Sequence, residues 1–80
     1  MARVRLFVSF PEALVDRPLI YEVIKEFDVV PNIRRANVEG QSGWIILEMN
    51  GDQAQLDTSV AYLEEVGCTV NRMEGDVLES

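Results

Sequence analysis

From Arg3 to Phe10 every second residue is apolar, with Val4, Leu6, Val8 and Phe10 on one side, and this alternation predicts a strand. Pro11 ends it. Asp16 then offers a side-chain oxygen to the unpaired amides of a helix start, and Pro18 fits the first turn. Leu19, Ile20, Val23, Ile24 and Phe27 follow at helical spacing, with Glu22, Lys25 and Glu26 on the polar side. Pro31 punctuates the exit from that helix.

A second strand is expected over Asn32 to Glu39, interrupted by Arg34 and Arg35, and Gly40-Gln41-Ser42-Gly43 reads as a hairpin turn. Trp44 to Asn50 carries the strongest strand pattern, with Ile45, Leu47 and Met49 on one face. After the break at Asn50-Gly51-Asp52, Asp52 is placed to cap a second helix whose buried face is Leu56, Val60 and Leu63. Gly67 stands where a left-handed terminal residue is needed. Cys68 to Met73 is the last strand, and residues 74–80 read as a frayed acidic tail.

The order strand, helix, strand, strand, helix, strand is the split βαβ pattern. The expected class is α+β: a ferredoxin-like βαββαβ sandwich, with a four-stranded antiparallel sheet and both helices on one face. Inward strand positions should then be apolar and outward ones polar. The outward face breaks that rule, because Phe7, Trp44 and Ile46 point away from the helices. An apolar patch of this kind marks a partner or ligand surface, and these three are the candidate interface residues; simple packing is the plainer alternative.

Eighty residues make one small domain. No apolar run is long enough to span a bilayer, and the first residues lack the pattern of a signal peptide, so a cytoplasmic protein without direct membrane insertion is expected. The net charge of −7 is uneven: residues 1–40 carry six basic and six acidic side chains, residues 41–80 one basic and eight acidic. An acidic domain repels phosphate backbones, which argues against nucleic acid as a partner.

The chain has no histidine and a single cysteine, Cys68. That removes the commonest general base, a disulfide framework, a cysteine-built zinc site and an iron–sulfur cluster, and no metal or cofactor is expected. Cys68 has no basic neighbour but Arg72 and reads as a packing residue. Glu64 and Glu65 are consecutive on a helix and do not converge on one site. No enzyme is expected. The loop Pro11-Glu12-Ala13-Leu14 lacks the glycines of an acylphosphatase, no Cys-x-x-Cys serves a metal chaperone, and Gly43-Trp44-Ile45-Ile46 is not an RNA-recognition motif. Asn32 with Arg34 and Arg35 is the most suggestive cluster. Neighbouring strand residues face opposite ways, so one arginine alone should share a face with a given site. The alternative is that these charges guard an edge strand.

Pro18-Leu19-Ile20, Asn32-Ile33-Arg34-Arg35-Ala36-Asn37-Val38, Gly43, Leu47-Glu48-Met49-Asn50-Gly51 and Ala61-Tyr62-Leu63-Glu64-Glu65-Val66-Gly67-Cys68-Thr69-Val70 together resemble the NIL domain, an ACT-like module named after an Asn-Ile-Leu motif. The resemblance covers Arg3 to Met73 and sets the expected domain at residues 1–73. It implies a regulatory fold of the kind found at the C-terminus of the ATP-binding subunit of methionine importers, where it binds methionine at a domain–domain interface and inhibits uptake. It also implies a homodimer and a larger protein partner in transport or sulfur metabolism. Ligand contacts fall by resemblance on Asn32, Ile33 and Arg34. This chain departs from the family in lacking a Gly-x-x-x-x-Gly-Lys-Ser/Thr loop and the cysteines of a cluster, and in carrying Arg34 where the leucine stands. Arg34 could hold a carboxylate bidentately or simply face solvent. The leading expectation is a stand-alone regulatory domain that senses methionine or a related amino acid between two copies. The second is a ligand-free dimerisation or docking module.

Overall fold

Alternation in two strands builds the centre of the molecule. In the computed structural model, which describes residues 2–39 and 42–73, β1 (Ala2–Phe10) pairs antiparallel with β3 (Ser42–Gly51). Val4 sits opposite Met49, Leu6 opposite Leu47 and Val8 opposite Ile45. Antiparallel partners share a face, so these six side chains form one apolar layer, and all are buried. β2 (Val29–Glu39) flanks β3, and β4 (Thr69–Arg72) flanks β1, giving the order β2-β3-β1-β4. Helices α1 (Leu19–Glu26) and α2 (Gln53–Val66) cover the layer with Leu19, Val23, Leu56, Val60 and Leu63. This is the ferredoxin-like arrangement expected from the sequence.

Several local expectations change. Asp16 does not cap α1: the helix starts at Leu19 behind Pro18, and no side chain caps it. A 3₁₀ turn over Glu12–Leu14 occupies the connection and buries Leu14. Ile24, placed by spacing on the apolar face, is exposed, because an eight-residue helix offers too short a stripe to cover both ends. Pro31 does not end an element but lies within β2. A residue without an amide donor is admitted there because an edge strand has a ladder on one side alone. Ser42 and Gly43 belong to β3, with Glu39 opposite Ser42. The remaining turn residues and the acidic tail, 74–80, lie outside the described residues.

The second helix follows expectation more closely. Asp52 occupies the N-cap with extended backbone, although its carboxylate makes no capping bond. Gly67 takes φ +121°, and the amides of Gly67 and Cys68 donate to the carbonyls of Glu64 and Leu63, closing the helix. A β-carbon at Gly67 would be strained in that conformation and would meet Leu14 Cδ1 at 3.3 Å. Cys68 is buried in the core just before β4.

The two helices are also joined through a polar contact. The Arg17 guanidinium donates to both carboxylate oxygens of Glu22 at 2.9 Å, and Tyr62 Oη on α2 donates to Glu22 Oε1 at 2.6 Å. The hydrogen bond from Arg17, then that from Tyr62, holds the Glu22 carboxyl below its ordinary range. The same bond to Glu22, with some desolvation, raises the Tyr62 phenol.

The depressed Glu22 carboxyl contributes stability above the ordinary carboxylate range, and that contribution fades as pH falls through its lower folded value. Thermal unfolding against pH should therefore show a lower Tm for Glu22→Gln at neutral pH and a flatter acid limb than wild type; parallel curves would disprove the coupling. At the other extreme, the Tyr62 contribution is lost as pH rises past the usual phenol range. Burial raises the Cys68 thiol, against a smaller opposite effect of Arg17. A thiol reagent should label the native protein only at its opening rate, and Cys68→Ala should cost about 1 kcal/mol of stability. Rapid labelling of folded protein would identify Cys68 as reactive.

Candidate functional site

The outer half of β2 departs from the pattern of the other strands. Every residue from Asn32 to Glu39 is exposed, including Ile33 and Val38, although both share the face that the helices cover elsewhere. The sheet therefore extends beyond its helical cover at this edge, and the second backbone side of β2 has no strand against it among the described residues. Such an edge is open to pairing with another chain.

A β-bulge sets the geometry of the Asn32-Ile33-Arg34 segment. Ile33 opposes Leu47 and Arg35 opposes Ile46, so Arg34 is an extra residue on β2. Asn32, opposite Glu48, lies on the open face of the sheet. Arg34 reaches the same face, with Nη1 3.7 Å from Glu48 Oε1. Arg35 is in register with Ile46, also on that face. The sequence expectation that the two arginines point opposite ways is therefore overturned: the inserted residue breaks the strict alternation. Ile33 lies on the helix side, apart from Asn32 and Arg34.

Glu48 is the hub of the open face. Arg5 Nη2 lies 3.3 Å and Arg3 Nη1 3.7 Å from its Oε2, and its side chain is only 12% exposed. The contacts of Arg3 and Arg34 exceed hydrogen-bond distance and are ion pairs across a partly solvated gap. Beside this cluster lies the patch expected from the sequence. Phe7 opposes Ile46, and the Phe7 and Trp44 rings stack with centroids 5.3 Å apart and planes 20° from parallel. Phe7, Trp44 and Ile46 are half-buried.

An apolar hollow of about 300 Å³ lies on the helix side, lined by Phe10, Leu14, Leu19, Tyr21, Val38 and Ile45 among others. The sequence reading missed it, because it depends on the 3₁₀ turn that replaces the expected loop. Val38, on exposed β2, forms one wall. Among the described residues no group of three or more acidic, cysteine or histidine side chains could hold a metal, and no helix is long and apolar enough to cross a membrane.

Comparison with known proteins gives this geometry a family. The solved C-terminal domain of an ABC transporter ATP-binding protein from Enterococcus faecalis superposes with a TM-score of 0.79 at 15% identity, over 88% of this chain and 82% of that one, which establishes the fold. The methionine import ATP-binding protein MetN 1 of Listeria innocua is 32% identical over 63 residues, covering 74% of this chain and 19% of that protein. Its namesake in Listeria monocytogenes is 29% identical over the same shares. The chain thus matches about a fifth of the length of these relatives. The model of the NIL domain matches residues 4–72, from within β1 to the end of β4, and the chain belongs to the NIL domain family.

Proposed function

We propose that this domain is a regulatory module that binds a small amino acid, methionine or a relative, at the open edge of β2, where a second copy completes the site. One observation carries the reading: the bulge puts Asn32 and Arg34 on one face of an exposed edge strand. A zwitterion needs a donor for its carboxylate and an acceptor for its ammonium. Arg34 supplies a fork of donors, and the Asn32 amide supplies an acceptor. At 3.7 Å from Glu48, Arg34 can turn to a ligand carboxylate without breaking a short hydrogen bond.

Pairing of β2 with a second β2 satisfies the free backbone groups of both edges. Ile33 and Val38, exposed on the helix side, add apolar contact beneath the joint. Occupancy then couples to dimer geometry, which gives the module a means of signalling to a larger partner. The methionine importers named among the relatives support methionine as the first ligand to try. The reading is one of binding without catalysis. The alternative, a ligand-free docking module, draws on the Phe7–Trp44 patch.

A thermal-shift scan against the twenty amino acids tests the site. A ligand at a hundred times its Kd should stabilise the fold by about 2.7 kcal/mol, about 10 °C or more for a domain of this size. Arg34→Leu should then weaken that ligand by about 1.5–3 kcal/mol, and Asn32→Ala should weaken it as well. Unchanged affinity in both variants moves the site elsewhere. Sedimentation should give a dimer, shifted to monomer by Ile33→Lys at the joint. A monomer at every concentration, with no stabilising amino acid, leaves the docking reading ahead.

A further inference from the structure

The bulge gives β2 a centre of symmetry. Outward from the bond between Arg34 and Arg35, both directions alternate alike: open face, helix side, open face, out to Val30 one way and Glu39 the other. A regular strand has such symmetry about every residue, which leaves its register with a second copy free; the bulge leaves one centre for the whole length. Two copies joined edge to edge, with their helix layers on the same side, must set each residue opposite one of its own face. Antiparallel β2 strands meet that condition from Val30 to Glu39 in one register. It sets Ile33 against the partner's Ala36, Asn32 against the partner's Asn37, and Arg34 against the partner's Arg35. Slid by two residues, it would set Ile33 against the partner's Arg34, or Ala36 against the partner's Arg35, helix side to open face. Registers that avoid the bulge match only over residues 29–33 or 35–39.

We infer that the second copy completes the amino-acid site with Arg35: Arg34 of one copy and Arg35 of its partner clamp one carboxylate across the joint, and symmetry repeats the clamp beyond the axis. The inference rests on the reading of the β2 edge as that site. Guanidinium groups directly opposite each other repel. Glu48 is shared with Arg3 and Arg5 and stands 3.7 Å from Arg34, and among the described residues Arg35 has no ion-pair partner. A carboxylate set between the two arginines accepts from both forks and turns the repulsion into charge-assisted hydrogen bonds. The partner's Asn37, opposite Asn32, adds a second amide acceptor for the ammonium. Occupancy and pairing are then linked, and the ligand tightens the dimer by the same factor with which the dimer tightens the ligand.

Cross-linking reads the register and sedimentation reads the clamp. In a Cys68→Ala background, Ile33→Cys/Ala36→Cys should oxidise to a covalent dimer, since the two positions lie too far apart along one strand to bond each other. Ile33→Cys/Val38→Cys should not, because those positions are diagonal neighbours across the joint, about 7–8 Å apart. Equal or reversed yields overturn the register. Without ligand, Arg35→Ser should tighten the dimer about fivefold by removing the facing charges. The same change makes a chain of net charge −7 more negative by one, so bulk repulsion acts in the opposite direction. An unchanged or weaker dimer overturns the clamp. L-Methionine should tighten the wild-type dimer, and methionine amide, which lacks the carboxylate, should not. Arg35→Ser should bind methionine about tenfold more weakly. If a stabilising amino acid is weakened by Arg34→Leu and not by Arg35→Ser, the amino-acid site stands and this inference fails. If no amino acid acts on the wild type, the site itself fails and the clamp falls with it.

Discussion

The pairing of β1 with β3 is the constraint on which the rest of this small domain depends. The register that sets Leu6 opposite Leu47 and Val8 opposite Ile45 places Val4, Leu6, Val8, Ile45, Leu47 and Met49 on one face. A slip of one residue would expose them and bury Arg5, Phe7 and Glu48. Once that face is apolar, α1 and α2 have a surface to cover, and β2 and β4 have edges to join. The same register assembles the open face, because the residues that cannot point inward must meet on the other side.

The edges are treated unequally. β4 is short, whereas β2 runs eleven residues and leaves its outer eight exposed. Long, exposed, apolar edge strands invite pairing with another chain, and Ile33 and Val38 do nothing to discourage it. Pro31 and the bulge at Arg34 interrupt the strand at one end. The bulge has a second effect: it turns consecutive arginines toward one face, where Arg34 meets the arginines of β1 at Glu48. A local backbone irregularity thus adds Arg34 to the charges on that face.

The open face of the sheet and the open edge of β2 meet at Asn32 and Arg34. The chain belongs to the NIL domain family, and the matched relatives are methionine import ATP-binding proteins.

Periodicity alone was enough to establish the element order, the inward faces of β1 and β3, the buried stripe of α2 and the glycine that closes it. Each rests on a local repeat or a local backbone requirement, as with Leu56, Val60 and Leu63 or the positive φ of Gly67. The apolar patch of Phe7, Trp44 and Ile46 was legible for the same reason, since residues between inward positions must face outward. The start of α1, the strand residues around Pro31, the bulge and the hollow behind Leu14 were not legible. They are decided by what lies beside each segment: a proline is tolerable when its strand is at an edge, and an extra residue is absorbed when the neighbouring strand holds the register. Nor could spacing show that Arg3, Arg5 and Arg34 converge on Glu48, because strands far apart in the chain become neighbours only when the sheet forms.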